Sequence, residues 1–375
     1  MATLLDVARR ARVSKATVSV VLNGRGESVG IKEETRQSVL RAARELSYSR
    51  NALAQAVQSQ QHRVLAFLAC APELEFKARV LAGACEAASE SGFFVKVLHL
   101  PNNRVTATVL EACLEHRLAG VLGLGIQEAD LRVLGREMER AGVPVVVSDD
   151  SPRLAGVSRI ASDEEGGMKQ VVRFLAELGH TRIALMSGHP DSPTSQMREA
   201  GFAAAMRELS AEVSPCIVHG NWDEGDTARL TRQLMNAQEE ERPTAIACAG
   251  DQWAAVVLRT LRALGIGVPE LVSVTGFGDL SAAQMVDPPL TTVAQPFEEV
   301  GAAMVRHLLA SIRAPDAVGA PDAPATRDEV LPTRLIVRNS TAPLPLAPQR
   351  RSRRIEQPTL GLSSHERPVH EPLAL

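Results

Sequence analysis

Aromatic side chains are scarce in this chain: one tyrosine, Tyr48, two tryptophans, Trp222 and Trp253, and eight phenylalanines in 375 residues. An aromatic ring in a polar loop is therefore informative. Cysteine is equally thin. Cys70, Cys85, Cys113, Cys216 and Cys248 stand at none of the short spacings that metal thiolate sets use, which leaves isolated reduced thiols as the reading. No apolar run is long enough for a membrane span, and no signal peptide is present, so a cytoplasmic location is expected. The motifs of common catalysts are missing as well. There is no phosphate loop with Lys-Ser/Thr, no Gly-x-Ser-x-Gly elbow and no His-Glu-x-x-His. Gly123-Leu124-Gly125 is only a fragment of a dinucleotide fingerprint, and His180, between a helix and a strand, reads as a helix-terminating residue. No catalytic residue, metal site or cofactor is expected, and the chain does not read as an enzyme.

What is present is unevenly distributed. The length exceeds what one hydrophobic core supports, so more than one domain is expected. Residues 1–62 carry a net charge of +5 and residues 63–341 a net of −10. A basic head on an acidic body confines the attraction for phosphate groups to one end and makes it salt-dependent.

That head has a specific pattern. Thr3 and Asp6 form a capping pair for a first helix with Leu4, Val7, Ala8 and Ala11 on its apolar stripe. Ser14 caps a second helix, in which Val18, Val21 and Leu22 face inward and Lys15, Ala16, Thr17, Ser19 and Val20 lie on or near the outer side. A third helix over 31–46 offers Val39, Ala42, Ala43 and Leu46 to close a three-helix core. Two short helices joined by a tight turn and closed by a third form a helix-turn-helix unit, whose second helix reads the DNA major groove.

The motifs Asp6-Val7-Ala8, Val13-Ser14-Lys15-Ala16-Thr17-Val18-Ser19, Val21-Leu22-Asn23, Thr35-Arg36, Leu46-Ser47-Tyr48 and Asn51-Ala52-Leu53-Ala54 resemble those of the lactose-repressor (LacI/GalR) family of bacterial transcription regulators. The resemblance covers residues 3 to about 341. It implies a helix-turn-helix domain over 1–49, a hinge helix and linker over 50–62, and an effector-binding and dimerisation core over 63–341. The core itself alternates apolar strands with helical segments, beginning at Val64, Phe94, Gly120, Val143, Arg182, Cys216, Ala245 and Leu271, the pattern of parallel sheets covered on both faces. The implied fold is the type I periplasmic-binding-protein core, with two doubly wound parallel-sheet subdomains and crossovers near Ala161, Pro289 and Leu331. The Pro- and Ala-rich stretch 314–326 reads as an insertion loop before a last strand at 333–338. Residues 342–375 read as a disordered tail, in which Arg350-Arg351-Ser352-Arg353-Arg354 is either a phosphate contact or a solvated run. No leucine heptads indicate a tetramerising coiled coil.

The resemblance also assigns roles. Lys15, Ala16 and Val20 match the base-facing positions: Lys15 to donate to guanine, Ala16 to pack on a thymine methyl, Val20 for apolar contact. Thr3, Ser14, Thr17 and Ser19 are phosphate partners or, alternatively, caps and core-facing hydroxyls. In the hinge, Asn51, Ala54 and Val57 are the contact positions, with Val57 matching the minor-groove wedge. Val there departs from the usual Leu and slightly disfavours a helix. No Lys or Arg lies between Arg50 and Arg63, and Gln55 sits where many members carry arginine.

For the cleft, Arg198 matches the family's ligand-binding arginine, with a surface ion pair to Glu199 or a neighbour as the alternative. Trp222 matches an aromatic that packs flat on the ligand, and Asp149 a polar contact. Phe76, Leu74, Ser192, Thr194 and Asp251 complete the candidate set. Gly276-Phe277-Gly278-Asp279 lacks the first of two aspartates found in many members; glycine stands there as Gly278. Members resembling gluconate regulators share this form. Loss of that carboxylate beside Arg198 favours an anion, so a sugar acid or phosphorylated sugar is expected.

The expected function is a homodimeric repressor on a pseudo-palindromic operator, its affinity set by a small metabolite: a sugar, sugar acid or sugar phosphate. Two alternatives stand beside it. One is a periplasmic-type binding protein without a DNA role; the other is a co-repressor-dependent or activating regulator.

Overall fold

A computed structural model describes residues 2–22, 26–48, 62–115, 118–148, 154, 156–209, 215–221, 223–313 and 328–344. The expected hinge, the insertion loop and all of the tail beyond residue 344 lie outside the described residues.

The N-terminal unit is three helices: α1 (Leu4–Ala11), α2 (Lys15–Leu22) and α3 (Glu33–Glu45). The capping box at Thr3 is complete: Asp6 N–H donates to Thr3 Oγ1 at 3.3 Å, and Thr3 N–H donates to Asp6 Oδ2 at 2.9 Å. The Thr3 hydroxyl, donating to Asp6 Oδ2 at 2.7 Å, and the Thr3 N–H beside it hold the Asp6 carboxyl below its usual range. Arg12 ends α1 in the left-handed conformation at φ 56, setting up the turn into α2. Thr17 N–H donates to Ser14 Oγ at 3.1 Å, so Ser14 caps α2. Val7, Ala8, Val18, Val21, Leu22, Val39, Ala42 and Ala43 form one closed core.

Two sheets follow. The first runs β11-β5-β4-β3-β1-β2, all parallel, from β1 (Val64–Ala69), β2 (Phe94–His99), β3 (Gly120–Leu124), β4 (Val145–Ser148), β5 (Ser158–Ser162) and β11 (Asp328–Leu331). Its central strands are apolar on both faces, because helices cover both. On one side lie α4 (Glu75–Glu90) and α12 (Phe297–Arg313); on the other, α5 (Ala107–Glu115) and α6 (Glu128–Arg140). The α4–α12 contact is close enough to require glycine: a Cβ on Gly83 would sit 1.9 Å from Glu298 O.

The second sheet runs β7-β6-β8-β9, again parallel, from β6 (Ile183–Ser187), β7 (Cys216–His219), β8 (Ala245–Cys248) and β9 (Ser273–Thr275). The helices α7 (Glu164–Glu177), α8 (Pro193–Leu209), α9 (Glu224–Met235) and α10 (Asp251–Ala263) pack on it, and the short α11 (Ser281–Met285) sits beside α10. A two-stranded antiparallel ribbon joins β10 (Thr292–Ala294) to β12 (Arg334–Ile336).

The chain passes between the subdomains at three places: from β5 into α7, from β10 into α12, and from β11 into β12. The first and third fall where Ala161 and Leu331 put them. The second lies after Ala294, later than Pro289, because Thr292–Ala294 still pairs with β12. Two other boundaries shift. The last strand is confined to Arg334–Ile336, and residues 342–344 remain attached to the body rather than opening the tail. His180 explains the attachment. Its buried ring bonds Thr244 Oγ1, Ser273 Oγ and the Ala342 carbonyl, and Leu344 N–H donates to Leu178 O. Burial lowers its pKa from the ordinary histidine value. Its role extends past helix termination to pinning the last described segment.

Candidate functional site

The outer face of α2 presents Lys15 and Ala16, both exposed, with Thr17, Ser19 and Val20 partly covered. The hydroxyl of Thr17 bonds that of Ser14 at 2.8 Å, which gives both side chains a local structural duty. Ser19 also has an internal partner. Among the described residues Lys15 makes no side-chain bond of this kind. Thr3 is engaged with Asp6. Asn51, Ala54 and Val57 fall outside the described residues.

In the core, three of the cleft candidates come together at the carboxyl ends of β6, β8 and β9, where open α/β sheets bind ligands. Arg198, on α8, is the centre. Its Nε donates to Glu164 Oε2 at 2.7 Å, its Nη2 to Gln295 Oε1 at 3.3 Å, and its Nη1 to the Ala249 carbonyl. Gln295 Nε2 closes the ring by donating to Glu164 Oε1 at 2.8 Å. The guanidinium lies 4.0 Å from the centroid of the Phe277 ring. Arg198 and Glu164 are 7% and 2% exposed, so the pair is inside the protein. This replaces the surface pair considered with Glu199. Glu199 instead accepts from Ser187 Oγ at 2.6 Å. The pairing also removes the premise that Arg198 supplies an uncompensated positive charge.

Asp251, at the start of α10, is fully buried beside this ring. Its Oδ2 accepts from Leu280 N–H at 2.7 Å and its Oδ1 from the Thr292 hydroxyl. Burial pushes its carboxyl up to about 6, against the pull of those two bonds. Gly278 has φ +129, and a Cβ there would meet Leu280 Cγ at 3.2 Å and Asp251 Oδ2 at 3.4 Å. An aspartate at 278 would therefore be strained and placed against a second carboxylate, which accounts for the glycine. Asp279 is held by Arg338 at 2.7 Å.

The remaining candidates are more dispersed. Ser192 caps α8 by accepting from Ser195 N–H at 3.4 Å, and Thr194 is half-buried in the same turn. Phe76 lies on the first subdomain, its ring 6.0 Å from that of Phe297. Leu74 is exposed at the N-cap of α4. Asp149 and Trp222 lie outside the described residues. Sequence reasoning missed Glu164 and Gln295. Glu164 follows the N-cap Asp163 and precedes Glu165, the pattern of a solvated acidic first turn. Its burial comes from the chain crossing there, which no local pattern signals.

The ring touches the crossings directly. Glu164 is the second residue after β5, and Gln295 is the first after β10. Asp163 N–H donates to Leu331 O at 2.9 Å, and Thr333 Oγ1 donates to Asp163 O at 3.1 Å, which brings in the third.

Comparison with known proteins agrees with both halves. The family described as "Bacterial regulatory proteins, lacI family" matches residues 3–51, and "Periplasmic binding protein-like domain" matches residues 172–341. The HTH-type transcriptional repressor PurR of Vibrio vulnificus is 31% identical over 317 residues, 84% of this chain and 92% of that protein. Its counterpart in Vibrio cholerae (strain M66-2) is 32% identical over the same shares. Among solved structures, the lac repressor dimer bound to operator and the anti-inducer ONPF superposes with a TM-score of 0.77 at 27% identity, covering 91% of this chain and 99% of that one. A CelR–cellobiose complex gives a TM-score of 0.63 at 28% identity, covering 91% of this chain and 100% of that one.

Proposed function

The chain belongs to the LacI family of bacterial regulatory proteins, and on that premise we propose how its two sites act as one device. It is a DNA-binding transcriptional repressor regulated by a small ligand. Lys15, Ala16 and Val20 read base edges in the major groove, and Thr3, Ser14, Thr17 and Ser19 position the helix on phosphates. Two copies present two reading helices to a pseudo-palindromic operator with half-sites about one turn, roughly 10 base pairs, apart. The protein acts in the cytoplasm, and the reading includes no catalytic step.

The observation that carries the coupling is the Arg198–Glu164–Gln295 ring. One side chain in the cleft wall is bonded to residues at two of the three inter-subdomain crossings, and Asp163 extends the contact to the third. A ligand that competes for Arg198 shifts those bonds and so biases the angle between subdomains. Ser192, Thr194, Asp251, Gly278 and Phe76 shape the rest of the cleft, with Asp149 and Trp222 as further contacts. A coupling of about 1–3 kcal/mol between ligand and operator is the usual scale.

A thermal-shift screen of the full chain with neutral sugars, sugar acids, sugar phosphates and nucleobases tests this reading. A hit is expected that also changes operator affinity. A hit that stabilises the protein and leaves operator affinity unchanged contradicts it.

A further inference from the structure

Lys77 is a lysine of the third position of α4, and it is 5% exposed. Among the described residues its ammonium makes one hydrogen bond, donating at 2.9 Å to the Cys70 carbonyl. It lies 5.7 Å from the Phe76 ring centroid. An ammonium has three donors, so two are left without a protein acceptor among the described residues. No carboxylate among them pairs with it. Glu75, on the same turn, gives both oxygens to Ser281. A buried cation without a counter-ion costs several kcal/mol.

Its place gives that cost a purpose. Cys70 directly follows β1, so Nζ sits at the carboxyl end of a central strand of the first sheet, facing the level where such sheets bind ligands. The N-terminus of the 16-residue α4 opens there with Leu74 as N-cap, and no side chain caps its N–H groups. An independent signal lies at the same level. Ser148 ends β4, in register with Leu124, which is in register with Ala69, and its buried Oγ has no hydrogen-bond partner among the described residues. Two strand spacings, about 10 Å, separate the two positions. Across the cleft Arg198 is already neutralised by Glu164, whereas Lys77 has no carboxylate partner among the described residues.

We propose that Lys77 is an effector-binding residue and that the effector carries an anionic group, a carboxylate or a phosphate ester, which seats on the Lys77 ammonium at the N-terminus of α4. This rests on the ligand-regulated reading above. It retains the anionic class expected from the sequence and moves its recognition from Arg198 to the opposite subdomain.

The test uses full-length protein with matched pairs of probes: glucose with gluconate and glucose 6-phosphate, ribose with ribose 5-phosphate, inosine with inosine monophosphate, and inorganic phosphate alone. Wild type is expected to be stabilised by at least one anionic member and not by its neutral partner. Lys77→Met is expected to weaken that binding at least tenfold, and Lys77→Arg to retain it. Without any ligand, Lys77→Met is expected to melt at or above the wild-type temperature, because an unpaired buried charge has been removed. The source of the anion is read from which member binds. Stabilisation that survives Lys77→Met, no response to any anion, or a ligand-free Lys77→Met that melts well below wild type each overturns the proposal. These outcomes are separate from operator control: a neutral compound that changes operator affinity would sink the anion site and leave the regulator intact.

Discussion

Arg198 and Glu164 form a buried ion pair at 2.7 Å, contributed by α8 and by the first residue of α7. Neither charge is exposed enough to be rescued by water. Truncating Arg198 to alanine leaves Glu164 uncompensated and is expected to cost about 3–5 kcal/mol. Replacing both by methionine removes the uncompensated charge and is expected to recover most of that loss. Urea unfolding of Arg198→Met, Glu164→Met and the double methionine variant measures this. Additive losses would show that the pair is not coupled.

Asp251 gives a pH signature with a defined sign. Its folded pKa, about 6, lies above the ordinary 3.8. The folded state therefore holds the proton more tightly, so this group's contribution is present below about pH 4 and is lost as pH rises through 6. Asp251→Asn is expected to flatten the stability profile between pH 4 and 7 relative to wild type. His180, with a lowered pKa, works in the opposite direction as pH falls, and it is common to both proteins. Parallel profiles would contradict the assignment to Asp251.

Gly278→Asp introduces the carboxylate that the family resemblance places at this position, and here it meets φ +129, Leu280 and Asp251. The expected result is a loss of about 1–3 kcal/mol in chemical denaturation. The loss should shrink below pH 6, where Asp251 takes up a proton. Equal stability at all pH values would mean that the backbone relaxes at no cost.

The reading helix is tested by Lys15. Lys15→Met is expected to relax base preference at one position in each half-site, at a cost of about 1–3 kcal/mol. Selection of binding sites from random duplexes by both proteins makes the comparison. An unchanged consensus would place Lys15 on the phosphate backbone.

Much of this molecule is legible in its sequence because the signals are local. The Thr3–Asp6 capping box, the Ser14 cap and the apolar stripe of Val18, Val21 and Leu22 lie within a few turns of one another. Apolar strands such as Val64–Ala69 announce a parallel sheet by composition. The misses are non-local. Strand β5, Ser158–Ser162, contains two serines and an arginine and has no apolar run, yet it is central to a sheet because β4 and β11 flank it. The sequence offers Arg198 only as a cleft candidate, and its bonding partners are not legible there, since Glu164 and Gln295 stand 34 and 97 positions away. Lys77 looked like an ordinary helical lysine. Only burial at a strand end, without a carboxylate partner among the described residues, sets it apart.

The central claim is that occupancy of the cleft controls DNA binding. Fluorescence anisotropy of a selected operator duplex, titrated at fixed salt with and without a compound that stabilises the protein, measures it most directly. The account predicts a change in affinity of about 5- to 150-fold in wild type. The change should be lost in the Arg198→Met, Glu164→Met double variant, which keeps a folded core and lacks the ring that joins the cleft to the crossings. Identical operator affinity with and without saturating ligand, or full coupling in the double variant, would contradict it.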